Sequence, residues 1–326
     1  MTAALLPDGR LHLQDGPIEL IIEASGDARA YPAAAAAFRG VLAGLAAELP
    51  GLRAPVGAVA LAHPVGLRMA AACAPHAKKF ITPMAAVAGA VADHVLAAMV
   101  AAAPGLRRAY VNNGGDIALH LAPGEEFRIG LVAELAVEGQ AVVTAADPVR
   151  GIATSGWPGR SFSLGIADAV TVLAGTAAAA DAAATMIANA VDADHPAIRR
   201  EAAEMLDPDS DLGARLVTVA VGPLPVALVH AALAAGAAEA RRLQERGLIV
   251  AALLRCQGLA AQIGAGFGSS TAPGSELDIG PDRGMVGGRV IGEFHLRKDG
   301  PEPAMLAAPD PFAKHPTGGD LPEQRR

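Results

Sequence analysis

Apolar positions repeat with two different periods along this chain, and each change of period predicts an element. From position 11, "LHLQDGPIELIIEA" reads as two strands joined at Asp15-Gly16-Pro17. Phe38, Val41, Leu42, Leu45 and Leu49 then recur at helical spacing, with Pro50-Gly51 as the predicted stop. A second helix is predicted in "FITPMAAVAGAVADHVLAAM", where Thr82 suits the N-cap and Pro83 the first helical position. "RAYV", "DIALHL" and "EFRIGLVAEL" read as short strands, "GIATSGWPGRSF" as a loop, "AVTVLAG" as a strand and "TAAAADAAATMIANAV" as an alanine-rich helix. Strand "LVTVAVG", helix "VALVHAALAAGAAEARRLQER" and strand "GLIVAALL" follow, and "GAGFGSSTAPGSE" reads as a loop. Strands come both as hairpins and between helices. That predicts an α+β fold of mixed sheets packed with Ala-rich helices, not a doubly wound sheet. One domain is expected over residues 1–296. The proline-rich, unpatterned stretch 297–326 is expected to be a disordered tail.

Composition narrows the function classes. The chain is 52% hydrophobic, but much of that is alanine, so its core must come from close contacts between elements. Net charge is −7 and aromatics are 3%, with no Lys/Arg block, which argues against nucleic acid as a partner. The longest apolar stretch, "PMAAVAGAVADHVLAAMVAAAPG", carries Asp93 and His94 at its centre. A mid-bilayer Asp costs about 3 kcal/mol on the insertion scale, so a buried helix is expected there and no membrane partner. The opening "MTAALLPDGRLHLQDG" has no basic segment leading into an apolar run, and Cys73 and Cys256 form no metal or redox spacing. A cytoplasmic setting is the expectation.

Three stretches could carry chemistry. Asn112-Asn113-Gly114-Gly115-Asp116 interrupts two strands; its glycines permit positive φ and close approach, and its N–H groups could form an anion nest. A plain turn with self-bonded Asn and Asp has the same composition. Thr154-Ser155-Gly156 offers hydroxyls beside a glycine, as an ordinary loop would. Asp181 and Thr185 are four apart, hence on one helix face, where a carboxylate and a hydroxyl could hold Mg²⁺; the bland alternative is a packed Thr beside a solvated Asp.

Taken in this order, the three stretches resemble the ApbE-type family of FAD:protein FMN transferases. The resemblance rests on the Gly-Gly-Asp turn after a strand, the Thr-Ser-Gly loop, the strand Val170-Thr171-Val172, and Ala180-Asp181 with Thr185 four residues on. It is recognisable over about 105–192 and looser over about 10–296. It implies FAD or FMN bound at Asn113, Gly114, Gly115, Asp116, Thr154, Ser155 and Gly156. It also implies Mg²⁺ on Asp181 and Thr185, with FMN attached to a Thr or Ser of a partner flavoprotein, and it admits a homodimer. One departure matters. Between the Thr-Ser-Gly loop and the "VTV" strand the family has a His-x-x-Asp-Pro segment, whereas this chain has only "WPGRSFSLGIAD". Asp168 is the carboxylate there that would stand in as general base. Two functions are therefore expected to compete: a Mg²⁺-assisted enzyme on a flavin nucleotide, transferring FMN or cleaving the pyrophosphate, and a non-catalytic flavin-binding or assembly factor. Asp93 is a further candidate for the cleft wall, and Trp157 for a ring cover or a core cap. His63, His76, His94, His195, His230 and His295 are expected to be structural or solvated, and Arg68 and Lys78-Lys79 solvated.

Overall fold

The structure, a computed structural model, describes residues 1–133, 136–267 and 290–291. The expected tail from 297 lies outside the described residues, as does most of the loop expected after Gly264. The chain begins with β1 (Thr2–Leu5), β2 (Leu11–Asp15) and β3 (Ile18–Ser25), then α1 (Ala30–Phe38), α2 (Val41–Ala47), α3 (Leu49–Leu52), α4 (Pro64–Cys73) and α5 (Val87–Ala102). Strands β4 (Arg108–Asn113), β5 (Asp116–Leu121), β6 (Glu126–Ala133), β7 (Ala136–Thr144), β8 (Gly151–Ser155) and β9 (Ala169–Ala174) follow. The last part contains α6 (Ala177–Ala190), β10 (Ile198–Ala202), α7 (Ala203–Leu206), β11 (Leu216–Val221), α8 (Val226–Glu245), β12 (Ala251–Cys256) and β13 (Leu259–Ile263).

The fold is α+β, as expected. Nine strands form one sheet in the order β1-β2-β3-β4-β5-β8-β9-β12-β13, and every pairing in it is antiparallel. The pair β6–β7 makes a separate hairpin, with Val290–Ile291 parallel to β6, and β10–β11 makes another. Successive strand residues point to opposite faces, and the central strands bury both. Tyr110, Leu119, Ile152 and Leu173 pack toward β6–β7. Val111 and Ala118 instead face α1, α4 and α5, while Ala153, Val172 and Leu254 face α6 and α8. This two-sided burial makes β4 and β5 almost continuously apolar, with the polar residues displaced to their ends.

Several local expectations change. The helix expected through Phe38–Leu49 is broken at Gly40, whose φ of 84° leaves the helical region. Pro50 does not end a helix but sits in the first turn of α3, where its missing N–H costs nothing. Thr82 precedes a 3-10 turn, Pro83–Ala86, before α5 proper, and its hydroxyl donates to Asp211 instead of capping. "GIATS" is strand β8 rather than loop: Ile152 and Ala153 are fully buried between β5 and β9, so tertiary pairing overrides the glycine and the hydroxyls.

Helices α5 and α6 cross closely over the sheet. Gly89 lies against the Ala177 carbonyl, so that any Cβ at 89 would clash with backbone. At this crossing each helix caps the other. Asp93 of α5 accepts from the Ala177 and Ala178 amides at 3.0 and 2.9 Å, and Thr176 accepts from Ala179 at 3.1 Å. Asp181 of α6 accepts from the Gly89 amide at 3.1 Å. Helix ends carry unpaired amides and partial positive charge, so both carboxylates sit where the backbone favours an anion. The apolar stretch 83–102 is long enough to cross a bilayer by length and composition, as is 30–47, which Gly40 interrupts; 44% of the former is buried within this fold.

Candidate functional site

Strands β4 and β5 are joined by Gly114 and Gly115 alone, at φ of 62° and 112°, which only glycine adopts readily. The turn is braced from within, since Asn112 Oδ1 accepts from the Gly115 amide at 2.8 Å. That amide is therefore not free for an anion nest. Asn113 is buried and donates from Nδ2 to the Ala88 carbonyl at 3.0 Å, tying the turn to the start of α5. Asp116 Oδ1 accepts from the Thr154 amide at 3.3 Å, and Thr154 Oγ1 lies 2.9 Å from Thr171 Oγ1 on the neighbouring strand.

The three stretches singled out in the sequence thus meet. The glycine turn reaches β8 through Asp116–Thr154 and reaches α5 through Asn113–Ala88, next to the amide that Asp181 binds. Burial, then the Asp181 charge, pushes the Asp116 carboxyl well above its usual range, against the Thr154 amide and the Arg160 guanidinium, which favour the anion. Burial also lifts Asp181 to about 7, opposed by the Gly89 and Ala88 amides and helped by Asp93. Burial raises Asp93 too, against its two amide donors and Arg68. The site is a patch of carboxylates short of positive charge.

Thr185 follows Asp181 by one turn, is half-buried, and its hydroxyl makes no hydrogen bond among the described residues. Among the described residues, no group of three or more His, Cys, Asp or Glu side chains surrounds a common metal position. Ser155 ends β8 beside Val170, and Gly156 rests against the Asp168 carbonyl where a Cβ would clash. Asp168 itself is engaged on both oxygens. Oδ1 accepts from the Trp157 indole at 3.3 Å, and Oδ2 accepts from the Gln257 amide at 2.5 Å. Gln257, at φ 45°, turns the chain between β12 and β13. Trp157 is therefore held by Asp168 through its ring and by the Ala167 carbonyl through its amide.

A family model for AbpE bacteria matches residues 3–265. The chain belongs to that family. This bears out, at the level of the superfamily, the resemblance read from the sequence. The chain is also similar to UPF0280 proteins. It is 38% identical to one from Methanothrix thermoacetophila over 144 residues, covering 42% of this chain and 56% of that protein. It is 39% identical to one from Archaeoglobus fulgidus over 112 residues, covering 34% and 45%. The match thus spans about half the length of these relatives. Among solved structures, the apo form of the Pseudomonas stutzeri flavinyl transferase ApbE aligns with TM-score 0.43 and 15% identity, covering 76% of this chain and 94% of that one.

Sequence reasoning missed two features of this AbpE-family site. Arg160 lies over the glycine turn, its guanidinium against Gly114 and near Asp116. The exchange of caps between α5 and α6 was also missed. Asp93, a candidate for the cleft wall, finds its partners in α6, with both oxygens accepting from the Ala177 and Ala178 amides. Three of the histidines have structural surroundings: His63 caps α4, His195 accepts from the Ala197 amide, and His76 is buried; His295 lies outside the described residues.

Proposed function

We propose that this protein binds a flavin nucleotide, FAD or FMN, with Mg²⁺ at the place where the glycine turn, β8 and α6 meet, and that it belongs functionally with the flavin transferases. The observation that carries the reading is the pair of half-buried carboxylates Asp116 and Asp181, both with raised proton affinity and the Asp181 charge acting on Asp116, together with the Thr185 hydroxyl one turn along α6, which makes no hydrogen bond among the described residues. Carboxylate and hydroxyl oxygens gathered in this way suit a hard divalent cation. With few protein ligands at hand, water and phosphate oxygens would complete the shell, which is the habit of Mg²⁺. The residues therefore fit the ion, with Asp181 and Thr185 as its holders. Bound there, Mg²⁺ would neutralise charge on the diphosphate oxygens. The protein's own part is positional. Asn113 fixes the turn to α5, Asp116 fixes it to β8, and the Gly89 amide keeps one oxygen of Asp181 oriented.

A second reading, a flavin-binding or assembly factor without transfer activity, is favoured by Asp168. Both its oxygens accept hydrogen bonds that shape two loops, so it is a poor general base. Flavin fluorescence titration with FAD, with and without Mg²⁺, tests the shared core of both readings. Mg²⁺-dependent binding that Asp181→Asn weakens about tenfold or more is expected, since charge-assisted contacts are the strong ones. FAD binding that ignores both Mg²⁺ and Asp181→Asn would reject the site. Release of AMP or FMN from FAD separates enzyme from binder.

A further inference from the structure

We propose that Arg160 is the residue that grips the phosphate of the nucleotide, closing over the glycine turn as a cationic arm. This rests on the flavin-nucleotide reading for the identity of the ligand, but not for the oxyanion chemistry. Arg160 is exposed on the segment between β8 and β9, and among the described residues its guanidinium forms no hydrogen bond and no ion pair. It is nevertheless held near the site. Nη2 lies against Gly114, whose lack of a side chain makes the room, and the charge acts on Asp116.

Charge balance gives the reason. The Asp181 charge acts on Asp116 and the Asp93 charge on Asp181, while the Arg68 charge acts on Asp93. A diphosphate brought to such a patch meets like charge, and one divalent ion has to serve both the carboxylates and the ligand. A second cation on the open side removes that conflict. A guanidinium suits the task, because its planar fork matches two phosphate oxygens at once and stays charged at any working pH.

The loop is built to place such an arm. Its base is fixed: Gly156 packs on the Asp168 carbonyl, Trp157 is pinned from both ends, and the Gly159 amide donates to the Gly156 carbonyl at 3.2 Å. Pro158, Gly159 and Arg160 beyond it are exposed. Asp168 is then a positioning residue, acting through Trp157 on where Arg160 stands.

The test uses the full chain with Mg²⁺ and four probes: FAD, FMN, riboflavin and inorganic pyrophosphate, with affinity measured by calorimetry for the wild type, Arg160→Ala and Arg160→Lys. Arg160→Ala should weaken FAD, FMN and pyrophosphate about tenfold or more, and riboflavin less than twofold, because riboflavin has no phosphate. Arg160→Lys should recover part of the loss. Unchanged FAD affinity in Arg160→Ala, or an equal loss for riboflavin, overturns the proposal. If the wild type binds pyrophosphate through Arg160 but no flavin, the flavin reading falls and the oxyanion grip stands. If it binds neither, both fall. Unaltered melting temperatures of the variants, expected for an exposed loop residue, keep the comparison clean.

Discussion

His76 shows how one residue reads the electrostatics of its surroundings. It is 4% exposed, its Nδ1 has no partner among the described residues, and Lys79, Glu239, Arg242 and Arg246 act on it from the neighbouring loop and from α8 and its end. Burial, with the positive charge of Arg246 next, lowers its pKa from 6.5 to about 4. The folded state therefore binds the proton more weakly than the unfolded chain. Its contribution is fully present above pH about 6.5 and is lost as pH falls toward 4. The loss is at most about 3 kcal/mol, at 1.36 kcal/mol per pKa unit. Asp116 and Asp181, raised by burial, act with the opposite sign over part of this range, so a wild-type curve alone mixes the two. The difference between wild type and His76→Leu isolates the histidine. Urea midpoints between pH 4.5 and 8 should fall on acidification more steeply in the wild type than in His76→Leu. Parallel curves would mean that His76 protonates freely in the fold. The same logic explains the cysteines: Cys256 is pushed up to about 12 by burial and Cys73 is raised further, so neither is a reactive thiolate at neutral pH.

At the scale of elements, the α5–α6 crossing governs both stability and site. Asp93→Ala would leave the Ala177 and Ala178 amides buried without acceptors. The expected cost is about 2 kcal/mol or more, the upper range for a lost N-cap. Gly89→Ala would drive a methyl into the Ala177 carbonyl and should cost about 1–3 kcal/mol by overpacking. Chemical denaturation measures both, and a Gly89→Ala protein as stable as wild type would refute the close crossing. Asp181→Asn behaves differently, because the amide oxygen still accepts from Gly89; it should keep the fold and lose the cation. These elements also show what a sequence reveals. The β2–β3 hairpin, α6 and α8 were legible because alternation and helical spacing are local. The Asn-Asn-Gly-Gly-Asp turn was legible because positive φ selects its residues. The strand nature of β8 was not, since only pairing with β5 and β9 makes Gly151 to Ser155 extended. Nor was the cap by Asp93, whose partners lie 84 and 85 residues away. Arg160 gives no local signal at all; it acquires meaning from the glycine turn it covers.

For the molecule as a whole, one apolar cluster gathers α1, α4, α5 and the strands up to β5, and another gathers α6, α8 and β8, β9, β12 and β13. The candidate site lies where they join, with Asp116 on the first side and Thr154 and Asp181 on the second. A ligand bound there ties both halves, so FAD with Mg²⁺ should raise the melting temperature more than either alone, by mass action about 2.7 kcal/mol at a hundredfold excess over Kd. Binding and transfer then part company. The proposed transfer of FMN to a hydroxyl needs a base to take its proton, and the segment 157–168 offers Asp168 alone among carboxylates. That carboxylate accepts from the Trp157 indole on Oδ1 and from the Gln257 amide on Oδ2, and hydrogen bonds donated to both oxygens reduce its capacity to take a proton. Loss of a positioned base costs about 10²–10⁴ in rate. The expected result is therefore tight flavin binding with slow or no flavinylation. Incubation with FAD, Mg²⁺ and a flavin-accepting domain, followed by mass spectrometry of that domain, measures it. A stoichiometric FMN adduct within minutes would overturn the expectation. Asp168→Ala decides between the roles left to that residue. If Asp168 is the anchor of the Arg160 loop, the variant loses FAD affinity and stability while riboflavin affinity holds; if it is a base, binding survives and only the adduct disappears.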